Sequence, residues 1–163
     1  MRKETICFVV LLLVGALPVR SQSLSDLFKC MPDSLLPYLS HNNRLDLLDF
    51  FEAGMEARVT NLFDGQTRLT ALSADSLVLE LSPSSSLSIR LCPVDAPIDS
   101  ARQVLCLVGS VFLSPSECEQ STRFYSLRWR PLPESQLPQP FRQKFERNGS
   151  TLVSWDEKRL STR

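Results

Sequence analysis

The sequence contains few of the residues on which catalytic and ligand-binding motifs depend. Histidine occurs once, at position 41, and only five of the 163 residues are glycine. No glycine-rich phosphate loop, G-x-S-x-G or H-E-x-x-H pattern is present. His41 lies in a polar turn before a predicted helix, a position typical of a cap or a surface residue and not of a general base. The sequence therefore favours a protein that is not an enzyme and needs no cofactor.

Strong charge of either sign is also missing, since the chain has 18 basic and 18 acidic residues. No cluster of Lys and Arg occurs, so neither nucleic acid nor an anionic membrane surface is expected as a partner. One predicted helix carries an acidic face, formed by Asp46, Asp49, Glu52 and Glu56. Such a face could bind a cation, but a solvated helix surface is the commoner explanation.

Residues 1–21 predict an export signal that is not part of the fold. Arg2 and Lys3 begin the segment, an apolar run follows at residues 6–17, and residues 19–21 form a plausible cleavage site. The apolar run is shorter than the roughly 20 residues that a membrane-spanning helix needs. We therefore expect a periplasmic, secreted or cell-surface protein with no membrane span after cleavage. An uncleaved membrane anchor is the alternative.

The rest of the chain, residues 22–163, has a length typical of one domain. Removal of the signal takes away three basic residues and one acidic residue, which leaves a net charge of −2. Prolines become frequent after Trp129. We expect an α+β domain at residues 22–133, followed by a proline-rich segment and a tail or hairpin at residues 134–163. Asn148-Gly149 is the hairpin signal in that segment.

Alternating apolar residues predict an antiparallel sheet between about Glu56 and Pro131. Because strand side chains alternate between faces, one face collects a row of aliphatic residues. These are Leu77, Leu79, Leu81, Leu87, Ile89 and Leu91. The registers that keep this face intact place Leu81 opposite Leu87, Leu91 opposite Leu107, and Val111 opposite Tyr125. The run at 104–113 is apolar on both faces, as in a central strand.

Two further strands are predicted upstream, at residues 58–62 and 67–72. Asp64-Gly65 between them favours a two-residue hairpin turn, because both residues tolerate positive φ. The sheet would then be a meander of about six strands. A long loop is predicted at residues 93–102, where proline interrupts the pattern.

N-terminal helices are expected to cover the aliphatic face. Ser23 can cap a short helix, and a main helix is predicted at residues 43–55. The main helix has one broad apolar arc, formed by Leu47, Leu48, Phe50, Phe51 and Met55. The predicted fold class is therefore α+β, with N-terminal helices packed on one face of an antiparallel meander.

Four cysteines follow the signal: Cys30, Cys92, Cys106 and Cys118. The register that sets Leu91 opposite Leu107 also sets Cys92 opposite Cys106, on the face away from the leucines. This pair is the candidate disulfide in an exported protein, with free thiols as the alternative. Metal binding is disfavoured because no C-x-x-C pair is present.

Five stretches are distinctive when taken together, at residues 31–37, 42–50, 69–72, 81–86 and 124–133. In combination they resemble an uncharacterised family of exported proteins from Bacteroidetes-type bacteria, catalogued as a domain of unknown function. The resemblance covers about residues 24–133. We expect it to end near Leu137, with the last strands of the family altered or missing. It implies no activity, ligand or catalytic residue.

The leading functional hypothesis is a binding or interaction module for a protein, peptide or glycan. Arg123, Arg128 and Arg130 lie among aromatic residues and could recognise a carboxylate, sugar or peptide, although a charged strand face explains them as well. A hydrolase that uses carboxylates such as Asp46 or Asp95 is one alternative. An inhibitor-like protein that binds through the 93–102 loop is another.

Overall fold

The computed structural model describes residues 22–114 and 117–136. Two α-helices and a 3-10 turn precede six strands, and a second 3-10 turn follows them. The elements are α1 Leu24–Lys29, the turn Asp33–Leu35, α2 His41–Glu52, β1 Arg58–Thr60, β2 Gln66–Leu72, β3 Ser76–Ser82, β4 Ser85–Ile98, β5 Ala101–Ser114, β6 Glu117–Tyr125 and the turn Glu134–Gln136. The predicted export signal and the Asn148-Gly149 hairpin lie outside the described residues.

The six strands form one sheet in the order β1-β2-β3-β4-β5-β6, each antiparallel to its neighbours. This is the predicted meander, and the α+β fold class is confirmed. Helix α2 packs over β1 and β2, and α1 packs against α2. Both helices therefore lie on one face of the sheet, which we call the helix-covered face.

The ends of the helices follow from local capping. The Ser23 side chain accepts a hydrogen bond from the backbone N–H of Asp26, as predicted. At α2, Ser40 and Asn43 form a reciprocal capping box. Gly54, at φ 69°, ends α2 with the paired backbone hydrogen bonds of a Schellman motif.

One large hydrophobic cluster joins the helices to the helix-covered face. Its fully buried members include Leu24, Leu27, Phe28, Leu47, Leu48, Leu77, Leu79 and Ile89. Phe51 is half-buried against this cluster, as the helical arc predicted. Met55 was predicted in the same arc but is exposed, because α2 ends at Glu52 and the chain turns away at Gly54. Burial of each large aliphatic side chain stabilises the fold by about 1.5–3 kcal/mol.

The predicted registers are wrong, although the predicted faces are right. Leu87 lies opposite Leu79 and not Leu81, because the β3–β4 turn contains only Pro83 and Ser84. A bulge between Glu80 and Ser82 absorbs the remaining offset. Because side chains alternate with period two, a shift of two residues keeps every leucine on its predicted face.

The predicted registers are also wrong on both sides of β5. Leu91 lies opposite Leu105, two positions away from its predicted partner Leu107. Tyr125 also lies opposite Leu105, six positions away from its predicted partner Val111. Strand β5 is longer than the predicted run at 104–113, and β6 begins four residues before its predicted start at Ser121, so only residues 115–116 separate the two strands. Residues 117–120 are polar and predict a loop before that strand, but they form the first part of β6.

The loop predicted at residues 93–102 has a different structure. Residues 93–102 do not form a long loop, because β4 continues to Ile98 and β5 begins at Ala101. Asp99 and Ser100 make a two-residue turn at φ 49° and 68°, a conformation that matches the twist of paired strands. We call residues 93–103 the distal arm.

The β1–β2 hairpin forms at the predicted place but with a longer turn. Thr60 pairs with Gln66, so five residues separate the strands instead of Asp64-Gly65 alone. The buried Asn61 organises this turn, since its side-chain oxygen accepts hydrogen bonds from the backbone N–H groups of Phe63 and Gly65. An asparagine side chain thereby replaces the tight turn that the Asp-Gly pair predicted.

Candidate interaction surface

The β5–β6 hairpin extends beyond the body of the sheet. Val111 pairs with Ser85, the first residue of β4, and the backbone N–H of Phe112 donates to the carbonyl of Ser84 at 2.9 Å, so the hairpin passes the end of β4 at Phe112. We call residues 111–114 and 117–119 the hairpin tip. Its large apolar side chains are exposed, at 47% for Val111, 43% for Phe112 and 56% for Leu113. Consecutive exposed apolar side chains on a protruding element are typical of an interaction site.

Strand β6 has a free edge next to this tip. Among the described residues, no strand pairs with β6 on the side away from β5. Only its end is covered, because the backbone N–H of Leu132 donates to the carbonyl of Phe124 at 2.9 Å. Since backbone groups alternate in direction along a strand, this bond shows that the even-numbered residues of β6 direct their N–H and C=O groups outward. Cys118, Gln120 and Thr122 therefore offer a template for another strand.

The sequence did not reveal this surface. The apolar run at residues 104–113 predicts one central strand, and a strand that is apolar on both faces is expected to be buried. A signal was present, because the polar run at 117–121 cannot supply an apolar partner for Val111 and Phe112. The actual pairing sets Val111 opposite Glu119 and Phe112 opposite Cys118.

The aromatic residues near the candidate arginines belong to the core. Phe124, Tyr125 and Trp129 are buried, and the indole N–H of Trp129 donates to the carbonyl of Leu27 at 3.0 Å. The alternation of Tyr125, Leu127 and Trp129 predicts a strand at residues 121–129, but this prediction is wrong because β6 ends at Tyr125. The residues after it form a turn with Trp129 at φ 61°. Arg123 on β6 and both Arg128 and Arg130 in the turn are exposed. This favours a charged surface over a recognition site for these arginines.

The remaining candidate residues lie apart from one another. His41 is the first residue of α2 and is exposed, with Nδ1 3.2 Å from the carbonyl of Lys29. Asp46 is exposed on α2, whereas Asp95 is exposed on the distal arm. The acidic face at residues 46–56 is exposed, and Glu56 there forms ion pairs with Arg58 and Arg68. Among the described residues, no group of three or more His, Cys, Asp or Glu could hold a metal ion.

A second, smaller cluster lies on the face opposite the helices. It contains Cys92, Val104, Cys106, Val108 and Phe124. Half-buried side chains from the distal arm and from the chain after β6 pack against it, namely Val94, Ile98 and Leu132. This packing explains why the run at residues 104–108 is apolar on both faces.

Cys92 and Cys106 are neighbours in this cluster but not in the predicted register. Cys92 lies opposite Val104, and Cys106 lies opposite Arg90. Both thiols are free, and Cys106 donates a hydrogen bond to the sulfur of Cys92. This bond lowers the pKa of the Cys92 thiol, against the opposite effect of burial. The same bond and burial raise the pKa of Cys106. The disulfide between them stays a prediction.

The comparisons with known proteins place this fold in a family. A family model described as "Protein of unknown function (DUF3256)" matches residues 16–161. The chain belongs to this family. The resemblance stated from the sequence is therefore confirmed, and the match to the DUF3256 model continues past Leu137, where the resemblance was expected to end.

A solved structure agrees with the DUF3256 assignment. It is described as a domain of an uncharacterized protein from Porphyromonas gingivalis W83, and it is similar to this chain with a TM-score of 0.54 and 25% identity. The similarity covers 70% of this chain and 55% of that chain, so our chain spans about half of the neighbour's length. No curated protein matches. Among the described residues, no helix is long and apolar enough to cross a membrane.

Proposed function

We propose that this DUF3256 protein is an exported, non-catalytic interaction module that binds an extended segment of a partner protein through its β5–β6 hairpin. The observation that carries this proposal is the hairpin tip, where Val111, Phe112 and Leu113 are exposed in a row. Export is supported by the signal-like residues 1–21, which combine a basic start with an apolar run.

The tip and the free edge of β6 supply complementary parts of such a site. An added strand gains affinity from backbone hydrogen bonds and specificity from side-chain contacts. The outward backbone groups of residues 118–122 can form those backbone hydrogen bonds. The apolar side chains of the tip can make the side-chain contacts, because removal of apolar surface from water is worth roughly 25 cal/mol per Å². Glu117 and Glu119 favour a partner segment that is apolar with basic flanks.

The tip is tested by capture of partner proteins from an envelope extract of the producing cell. The variant V111S/F112S/L113S is expected to capture at least tenfold less of any specific partner than the wild-type chain. The matched control is L62S/F63S, which removes apolar residues of similar exposure, 61% and 64%, from the β1–β2 turn. The control should capture the wild-type amount. Equal capture by the tip variant and the wild type would contradict the proposal.

The free edge is tested by a pair of substitutions at Gln120. Because the N–H of Gln120 points outward, Gln120→Pro removes a donor for an added strand without breaking the β5–β6 ladder. Gln120→Ala removes the same side chain, including its 3.4 Å contact with Ser110, and keeps the backbone N–H. We expect capture to fall with proline and to persist with alanine. If both variants bind equally well, the partner does not pair with β6.

The alternatives have different requirements. A hydrolase would show turnover that is lost in Asp46→Asn or Asp95→Asn, and these carboxylates lie on different elements, α2 and the distal arm. An inhibitor-like protein would bind through the tip of the distal arm, at Asp99 and Ser100. Shortening that turn should then abolish inhibition and leave the hairpin tip intact. No observation in the described residues favours either alternative over the hairpin.

A further inference from the structure

We propose that Cys92 and Cys106 form a thiol–disulfide exchange site, in which a disulfide-bearing donor oxidises the pair and thereby cross-links β4 to β5. The proposal concerns the face opposite the helices and the base of the distal arm. It is independent of binding at the β5–β6 hairpin. The reduced pair is the state in the structure, where both thiols are free.

The register places the two cysteines diagonally across one strand pair. Cys92 lies opposite Val104 and Cys106 lies opposite Arg90, so the cysteines are offset by two positions on the same face. Diagonal neighbours in antiparallel sheets are about 7–8 Å apart at Cα, slightly beyond the roughly 6.8 Å that disulfides span. Both side chains belong to the same small cluster on the face opposite the helices. Formation of the bond therefore draws β4 and β5 closer together at this point.

The surroundings give the two sulfurs unequal access to a reagent. Cys106 is 1% exposed and lies inside the second cluster, whereas Cys92 is 7% exposed at its border. Leu132 and Ile98 pack against the same cluster. Neither Leu132 nor Ile98 belongs to the main core, so their local displacement can open a path to Cys92. Cys92 is accordingly the attacking residue and Cys106 the resolving residue.

The chemistry balances in two exchanges. The Cys92 thiolate, favoured by the hydrogen bond from Cys106 and by the charge of Arg90, attacks one sulfur of the donor disulfide. The donor S–S bond breaks, one donor thiolate leaves and takes a proton, and a mixed disulfide forms. Cys106 then attacks the Cys92 sulfur, and its proton passes to the second donor sulfur, which leaves as a thiol. The protein pair is oxidised by two electrons, and the donor is reduced to two thiols.

The bond would fasten a part of the sheet in which the pairing is interrupted. Beyond Pro93 the β4–β5 ladder is interrupted until Ile98 meets Ala101. A Cys92–Cys106 bond lies at the base of this segment and closes a loop around the whole distal arm. Cross-links of this kind stabilise chiefly by restricting the unfolded chain. Oxidation should therefore raise the melting temperature and restrict the arm.

The test is a disulfide map of the full chain after equilibration with oxidised glutathione. Free thiols are blocked with N-ethylmaleimide under denaturing conditions before digestion. Trypsin cuts at Arg102 between the two cysteines, and a glutamate-specific protease cuts at Glu117, between Cys106 and Cys118. We expect the Cys92 and Cys106 peptides to be joined to each other, and Cys30 and Cys118, which are exposed, to carry either glutathione or N-ethylmaleimide. Full labelling of Cys92 and Cys106 would overturn the proposal, and so would bridges from either to Cys30 or Cys118.

Two further measurements separate the site from a merely buried pair of thiols. In Cys106→Ala, glutathione should remain on Cys92 as a mixed disulfide, whereas Cys92→Ala should leave Cys106 unmodified. The oxidised wild-type chain should melt roughly 10 °C above its reduced form, and Cys118→Ser should show the same difference. Modification of Cys106 in preference to Cys92 would contradict the assigned roles. Equal melting temperatures of the bridged and reduced wild-type chains would contradict the cross-link.

Discussion

Replacement of Phe28 by alanine is expected to lower the free energy of unfolding by about 3–5 kcal/mol. Phe28 is fully buried in α1, and it belongs to the cluster that joins both helices to the helix-covered face. A cavity at this position removes contacts that a six-residue helix cannot replace, because such a short helix has little stability of its own. Since domains are stable by about 5–15 kcal/mol, this loss should leave the variant only marginally folded if the wild type lies at the low end of that range. Urea unfolding followed by far-UV circular dichroism measures the change.

The matched control is Phe63→Ala, which deletes the same side chain from an exposed position. Phe63 is in edge-to-face contact with Tyr38 but is 64% exposed, so its loss should cost less than about 1 kcal/mol. If Phe28→Ala lost no more stability than Phe63→Ala, α1 would not pack on the sheet as described.

The second large effect is expected at Trp129, which ties the chain after β6 to the N-terminal helix. Its ring is buried near Tyr125, with centroids 5.9 Å apart, and its N–H donates to the carbonyl of Leu27. Trp129→Ala should cost about 3–5 kcal/mol. Trp129→Phe keeps most of the ring but leaves that carbonyl without this donor, and it should cost about 1–3 kcal/mol.

The backbone at Trp129 allows a sharper comparison. Its φ of 61° lies in the left-handed region, which costs a non-glycine residue roughly 1–2 kcal/mol. Trp129→Gly should therefore be less destabilising than Trp129→Ala, although glycine usually destabilises a fold relative to alanine. Chemical denaturation of the three variants and the wild type measures the order. If the alanine variant is the more stable of the two, the turn does not hold Trp129 in this conformation.

The sequence predicted which side chains share a face, and it failed on which residues lie opposite. Ile89 and Leu79 are on the buried face because alternation is a local property of a strand. Register depends on the number of residues in each turn and on bulges. The two-residue turn at Pro83-Ser84 was expected to be longer. The polar residues 85–86 and 117–120 predict loops, but in the structure they belong to strands β4 and β6.

The candidate surface shows the same limitation. Val111 and Phe112 look like core residues in the sequence, since nothing local distinguishes a buried strand from one that extends beyond its neighbour. Both residues lie at the margin of the sheet, beside Ser85 and Ser84, whereas the helices pack over β1 and β2, so their exposure is a property of the whole fold. Arg44 is the opposite case. It is a charged residue on the buried side of α2, and its guanidinium donates to Asp33 and to the carbonyl of Leu39.

Residue-resolved amide hydrogen exchange tests most directly the claim that the helices cover one sheet face while the β5–β6 hairpin presents a free edge. Amides of β4 at residues 87–91 should exchange only through global unfolding, because they lie in the centre of the covered sheet. On β6, the amides of Ser121 and Arg123 should be protected by β5. Those of Cys118, Gln120 and Thr122 should exchange orders of magnitude faster. Uniform protection along β6, or rapid exchange at residues 87–91, would contradict the account.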